Sequence, residues 1–243
     1  MANILKYLYR PKSCKTENAL DLQRCLFGDT RNIVIFDVGA YVGEITAAYK
    51  KAFPSSTVYS FEPFPESFRE LCRRCGDLSI DAYNLAMSDE EANLKFYVNT
   101  DESCNSFFPR SERGRRYCPQ RSKNVRTIEV RATTLDSFCD CKNISTIDIL
   151  KLDVEGAETK VLKGASRKLS ATQIELIYTE VMFVPHYEGG CIFHELAGFL
   201  EPYGYTLFNL YNLKRAKDGQ LRWGDAIFLS PEARTRLNHI RSM

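Results

Sequence analysis

Three largely apolar runs of the chain stop on an acid: Val34-Ile35-Phe36 on Asp37, Val58-Tyr59-Ser60-Phe61 on Glu62, and Ile149-Leu150-Lys151-Leu152 on Asp153. The first and third pass at once into glycine, as Asp37-Val38-Gly39-Ala40-Tyr41-Val42-Gly43 and Asp153-Val154-Glu155-Gly156. A buried strand, a glycine turn and a helix N-terminus together form a nucleotide crevice at the carboxyl end of a parallel sheet. The acids then discriminate among nucleotides. A dinucleotide is held by G-x-G-x-x-G amides on its pyrophosphate, and a carboxylate directly before that turn repels it. Asp37 suits a ligand that offers a cation, such as an ammonium or sulfonium, and Gly39 and Gly43 let the backbone approach closely. Asp37 as a cap of the following helix is the structural alternative. Glu62, after the second strand, can accept both hydroxyl hydrogens of a ribose diol. Asn84, after the third, can pair with an adenine edge or form the turn before Met87-Ser88-Asp89.

A second group of acids gathers beyond Leu152, where the reactive end of such a ligand falls. Asp153 and Glu155 end the strand, while Glu158 reads better as negative charge at a helix N-terminus. Glu180, in Tyr178-Thr179-Glu180-Val181, ends the next strand. His186 follows in Phe183-Val184-Pro185-His186-Tyr187, and imidazole suits proton abstraction near neutral pH. A lone histidine is more often a surface or hydrogen-bonding residue than a base.

Positioning these groups requires alternating strands and helices. Leu20, Leu22, Leu26 and Phe27 give a short N-terminal helix an apolar face, suited to capping the fold or its active-site mouth. Strands are expected over Asn32 to Val38, Thr57 to Phe61, Asp81 to Ala86, Ile147 to Leu152 and Ile174 to Val181. Helices are expected over Ile45 to Phe53, Pro65 to Cys75, Thr159 to Leu162 and Phe193 to Pro202. Leu94 to Val98 and Thr127 to Ala132 alternate like edge strands, and Tyr205 to Leu210 pairs with Ala226 to Leu229 through Asp218-Gly219. The pattern predicts an α/β fold, a mostly parallel sheet covered on both faces with a terminal hairpin.

The 243 residues, 44% hydrophobic and 26% charged, can bury a core and argue against disorder. A net charge of +2 gives no general nucleic-acid signature. No apolar run approaches a membrane span, and Met1 to Lys15 lacks a signal-peptide core, so the cytoplasm is the expected compartment. The nine cysteines are then expected to be reduced. Cys72, Cys75, Cys139 and Cys141 have spacings that raise a four-thiolate zinc site, against which Cys72-Arg-Arg-Cys75 sits in a helical pattern.

Asp37-Val38-Gly39-Ala40 with Gly43, Phe61-Glu62-Pro63, Asn84-x-Ala86-x-Ser88-Asp89, Leu150 to Glu158 and Trp223-Gly224-Asp225-Ala226 resemble the FkbM family of S-adenosylmethionine-dependent methyltransferases. The resemblance runs from about Asn32 to Leu229. It implies a class I methyltransferase (Rossmann-like) fold of seven strands, mostly parallel, with helices on both faces and an antiparallel C-terminal hairpin. Residues 1–31 would form a helical cap and 32–243 the methyltransferase domain, with an Arg-rich insert at about 103–126. Asp37, Gly39, Ala40, Tyr41, Gly43, Glu62, Pro63, Asn84 and Ala86 would bind S-adenosylmethionine. The implied reaction is O-methylation of a hydroxyl on a sugar, glycan or natural-product intermediate.

Methyl transfer to an alcohol needs positioning and removal of the hydroxyl proton, by a base or with a metal's help. Asp153, Glu180 and His186 are the candidates for acid-base work, and Asp153, Glu155 or Glu180 for a Mg²⁺ site. Ser103, Asn105 and Ser106 are further hydrogen-bonding candidates, and Tyr41 suits packing near a methionine chain. Arg110, Arg113, Arg115, Arg116, Arg121, Lys123, Arg126 and Arg131 make either a solvated basic loop or a lid for an anionic acceptor. Two other function classes remain at this point. One is an NAD-dependent oxidoreductase, which Asp37 argues against. The other is an RNA-binding or RNA-modifying protein that uses the Arg-rich segment.

Overall fold

The computed structural model describes residues 17–28, 31–117 and 123–242. Much of the expected N-terminal cap, and Arg121 of the insert, lie outside the described residues. In chain order the elements are α1 (Ala19–Phe27), β1 (Val34–Val38), α2 (Glu44–Ala52), β2 (Thr57–Phe61), α3 (Pro65–Cys75), β3 (Asp81–Tyr83), β4 (Ala86–Met87), β5 (Ala92–Asn99), α4 (Glu112–Tyr117), β6 (Asn124–Thr133), α5 (Leu135–Lys142), β7 (Ile147–Leu152), α6 (Glu158–Lys163), α7 (Ser166–Ser170), β8 (Ile174–Met182), α8 (Phe193–Leu200), β9 (Thr206–Arg215), β10 (Leu221–Leu229) and α9 (Pro231–Ser242).

Seven strands form one sheet in the order β3-β2-β1-β7-β8-β10-β9. Pairs from β3 to β8 are parallel, and β10 lies antiparallel between β8 and β9. The expected seven-stranded, mostly parallel sheet with an antiparallel C-terminal hairpin is present. Alternation along the central strands explains why both faces are covered. Ile35, Ile149, Leu176 and Ile227 pack with residues of α1, α2 and α9. Their chain neighbours Phe36, Leu150, Ile177 and Phe228 pack on the other side with residues of α5 to α8. A strand buried on both faces must read as a continuous apolar run, which is why Ile147 to Leu152 is apolar except at Asp148 and Lys151.

Several expectations change. The third strand is not continuous over Asp81 to Ala86: β3 stays in the main sheet, while Ala86 and Met87 join a separate three-stranded sheet, β4-β6-β5. The two alternating segments, β5 and β6, belong to that second sheet instead of forming main-sheet edges. Phe64, Ala86, Phe96, Val98, Val130 and Ala132 give it its own core. Helix α5 had no sequence expectation because its apolar face is narrow. It is started by Thr134, whose hydroxyl accepts from the Ser137 amide, and it drives Phe138 edge-on into Phe61 at 4.8 Å. The described part of the N-terminal cap is built into the sheet face, with Leu22, Leu26 and Phe27 buried against α9 and the strands. It lines neither pocket described below. Among the described residues no helix is long and apolar enough to cross a membrane.

Candidate active site

The winding of the sheet reverses at β1, whose parallel neighbours are β2 on one side and β7 on the other. A crevice opens beyond the strand ends at such a point. Gly39 and Ala40 amides both donate to the Phe61 carbonyl at 3.0 Å, and the Asp153 amide donates to the Val38 carbonyl at 3.0 Å. The first turn is thus clamped between the ends of β2 and β7. Gly39 has φ +76°, and a Cβ there would stand 1.9 Å from the Asp153 carbonyl oxygen. Only glycine fits this approach.

The first pocket lies over this turn. Gly39, Tyr41, Glu62, Pro63 and Ala86 line it, together with apolar Leu85, Phe96 and Phe107 and polar Glu102, Ser103, Asn105, Asp153 and Glu155. Asp37, Ala40, Gly43 and Asn84, also expected at the ligand, do not line it. Ala40 packs with Leu71 and Cys75, and Gly43 is held against the same two side chains. Asn84 donates to the Glu62 and Pro63 carbonyls at 2.8 and 3.0 Å, so it shapes the wall from behind. Glu62 accepts from the Tyr41 and Phe64 amides at 2.9 and 2.8 Å. Burial outweighs those bonds and the nearby Lys151, and pushes its pKa up to about 7.

Asp37 requires a larger correction. Its carboxylate is fully buried, takes a hydrogen bond from the Thr46 hydroxyl at 2.6 Å and stands 2.9 Å from Lys151 Nζ. Lys151, one of two polar residues in β7, also donates to the Gly39 carbonyl at 2.8 Å and lies 3.7 Å from Asp153. Although burial opposes its charge, Asp37 and Asp153 raise its pKa. Asp37 is therefore compensated within the protein and is not the group that selects a cationic ligand. The acids that face the first pocket are Glu62, Glu102, Asp153 and Glu155, with no basic side chain in its lining.

A second pocket adjoins the first and shares Ser103, Asp153 and Glu155 with it. Cys104, Arg110, Glu180, Met182, His186 and Trp223 complete its lining. Oxygens of Asp153, Glu155 and Glu180 come within 4.8 Å of one another, a spacing that can hold a metal ion. Glu155 sits at φ +53°, and its carboxylate accepts from the Tyr187 hydroxyl at 2.7 Å. Burial, then Asp153, raises its pKa to about 8. Burial, then the carboxylates of Glu155 and Asp153, raise Glu180 well above the usual carboxylate range. Glu158 stands at the helix N-terminus expected of it, as the first residue of α6; it is buried, accepts from the Gly156 amide at 3.2 Å, and burial lifts it to about 7.

His186 is 4% exposed, and burial with the charges of Arg110 and Arg222 lowers its pKa to about 4. Arg110 stands 3.5 Å from its Nδ1. A guanidinium only donates, so Nδ1 is the accepting nitrogen and the neutral ring carries its proton on Nε2. That Nε2 is buried and has no partner. The ring therefore presents a donor to the pocket where the sequence suggested a base.

The family profile described as the methyltransferase FkbM domain matches residues 37–207. The chain belongs to the FkbM methyltransferase family. It is 27% identical over 162 residues to 2-O-methyltransferase NoeI of Sinorhizobium fredii, an alignment covering 64% of this chain and 66% of that protein. It is 26% identical over 142 residues to Methyltransferase 1 of Beauveria bassiana, covering 54% and 57%. The chain thus spans less than two thirds of the length of these relatives. Among solved structures, precorrin-6y C5,15-methyltransferase of Geobacter metallireducens is similar at 10% identity with a TM-score of 0.47, covering 91% of this chain and 93% of that one. Magnesium protoporphyrin IX methyltransferase of Synechocystis, with bound S-adenosylmethionine, gives 10% and 0.45, covering 86% and 77%.

In this FkbM domain the described part of the Arg-rich insert is tied to the loop that carries His186. Ser111 donates through its amide to the His186 carbonyl at 2.9 Å and through its hydroxyl to the Pro185 carbonyl at 2.7 Å. Arg110 turns inward, while Arg113, Arg115, Arg116, Lys123, Arg126 and Arg131 are exposed. Ser106 is used internally, donating to the Glu155 carbonyl at 2.7 Å. Asn105 accepts from the Asn99 amide, and its buried Nδ2 has no partner at the first pocket. Among the described residues the cysteines form no metal cluster. Six of them are free, as expected, but Cys25 is disulfide-bonded. Lys151 and Trp223 are among the site residues to which sequence reasoning gave no role. A lysine inside the apolar run and a tryptophan inside a recognised motif were the available signals.

Proposed function

We propose that this protein transfers a methyl group from S-adenosylmethionine to a hydroxyl of a small-molecule acceptor, a sugar-like compound or other natural-product intermediate. The observation that carries the reading is the pair of adjoining pockets meeting at Asp153 and Glu155. The similarity to a protein named as a 2-O-methyltransferase supports the hydroxyl acceptor. The first pocket suits the methyl donor: Glu62 can take its ribose hydroxyls, the unpartnered Asn105 Nδ2 can donate to it, and Gly39 leaves its backbone bare. Leu85, Phe96 and Phe107 provide an apolar wall for a purine. When bound, the donor supplies an electrophilic methyl on sulfonium. Asp153 receives the acceptor hydroxyl's proton on a carboxylate oxygen, Glu180 hydrogen-bonds an acceptor oxygen and keeps its own proton throughout, and the His186 Nε2–H orients the acceptor.

A second reading rests on the 4.8 Å grouping of Asp153, Glu155 and Glu180. These three would hold a divalent cation such as Mg²⁺, which would acidify the acceptor hydroxyl directly. Turnover that rises with added Mg²⁺ and falls with chelator favours it. Turnover indifferent to both favours Asp153 acting alone.

Calorimetry with S-adenosylhomocysteine, the demethylated product, against NAD tests the donor, and an acceptor screen with labelled methyl donor tests the reaction. Binding of NAD without binding of S-adenosylhomocysteine would sink the proposal. Salt-sensitive RNA affinity lost on changing Arg113, Arg115 and Arg116 together would favour the RNA alternative.

Glu62 makes donor binding depend on pH. Its pKa of about 7 in the free site means that it is mostly protonated below that pH, whereas the ionised form accepts both ribose hydroxyls. Binding then releases a proton. The affinity for S-adenosylhomocysteine is expected to rise with pH, by at most about tenfold per unit below 7, and to level off above it. In Glu62→Gln the profile should be flat and the affinity uniformly lower, as measured by calorimetry from pH 5.5 to 8.5, a range of roughly three units centred on that value.

A further inference from the structure

Arg110 is a buried cation on which the Glu155 carboxylate acts only from beyond contact distance. It is 6% exposed, forms no ion pair among the described residues, and its Nε has no hydrogen-bond partner. The face of the guanidinium lies over the Tyr187 ring at 4.3 Å, which leaves its edge as the reactive side. A guanidinium keeps its charge in any protein, and a buried charge is ordinarily paired. The mechanism proposed above uses no part of it. Next to it stands His186, whose Nε2 is also buried without a partner, and both residues line the acceptor pocket.

We propose that Arg110 and His186 bind a carboxylate carried by the acceptor, so that the compound methylated is a hydroxy acid with its hydroxyl at Asp153 and its carboxylate at Arg110. This inference rests on the methyl-transfer reading. The planar fork of N–H groups matches a carboxylate, and His186 takes part by holding the guanidinium at its Nδ1, 3.5 Å away. A phosphate monoester fits less well. Among the described residues Asp153, Glu155 and Glu180 share the pocket with one guanidinium, so a second negative charge on the ligand would meet carboxylates there. The insert exists in part to deliver this group: its hydrogen bonds to Pro185 and His186 fix Arg110 beside the ring, and Gly114 lies so close to the His186 carbonyl that a Cβ would stand 2.2 Å away.

The test uses the full chain saturated with S-adenosylhomocysteine and three probes, lactate, mandelate and glucuronate, each compared with its primary amide. At least one acid is expected to bind ten or more times as tightly as its amide and to shift the His186 Nε2–H resonance in nitrogen-edited spectra. Arg110→Met should abolish that preference and Arg110→Lys should keep part of it, while both still bind S-adenosylhomocysteine. If no acid outperforms its amide, or the preference survives in Arg110→Met, the carboxylate subsite is wrong while the methyl-transfer reading stands. Wild-type protein that fails to bind S-adenosylhomocysteine overturns both. The resonance shift is read on wild-type protein, so the proposal remains testable even if Arg110→Met does not fold.

Discussion

Replacing Lys151 with methionine is expected to destabilise the fold by about 3–5 kcal/mol, the range for removing one partner of a buried ion pair. The substitution leaves Asp37 fully buried, with the Thr46 hydroxyl as its only remaining close donor. Urea denaturation of the single variant and of Asp37→Asn/Lys151→Met separates charge from shape. Removing both charges should recover most of the lost stability, because an uncompensated carboxylate costs more than an absent pair. Donor binding should not recover with it. Lys151 Nζ also holds the Gly39 carbonyl at 2.8 Å, so S-adenosylhomocysteine affinity should stay at least about tenfold low in the double variant. A single variant that denatures like the wild type would show that the pair does not matter to folding.

The same lysine shows where the sequence could be read and where it could not. Strand ends were legible because β1, β2 and β7 are largely apolar runs, so Asp37 near the end of β1 and Glu62 and Asp153 just past β2 and β7 stood out as acids. What each acid does was not legible from spacing. Asp37 and Asp153 look alike in sequence, yet one is sealed against Lys151 and the other has a 44% exposed side chain between two pockets. The difference arises from pairing across β1 and β7, in which Asp37 lies beside Lys151 in register. The family motifs located the main sheet, but the second sheet draws Ala86 and Met87 away from β3 through long-range pairing with β6. Local periodicity carries no trace of that partner. His186 was found by residue type but its role stayed open between base and hydrogen-bonding residue, because the proton's position is set by Arg110, which lies 76 residues away in the chain.

Asp153→Asn is expected to lower kcat by about 10² to 10⁴, the usual contribution of a positioned base, with S-adenosylhomocysteine affinity changed by less than about twofold. The amide has the shape of the carboxylate but cannot receive the hydroxyl proton. Folding should be unaffected, since the side chain is partly exposed and Lys151 keeps its nearer partner, Asp37 at 2.9 Å against 3.7 Å to Asp153. Glu180→Gln should be milder, because the protonated acid it replaces acts as a donor and the amide still donates. Single-turnover rates with labelled donor measure both, and they also separate the two readings of the acid cluster. If Asp153 is the base, the lost rate stays lost at any Mg²⁺ concentration. If Asp153 is one ligand of a cation, the asparagine oxygen remains a weaker ligand, and raising Mg²⁺ restores turnover. Turnover that is unchanged in Asp153→Asn without added metal would remove the proton-accepting role from this residue.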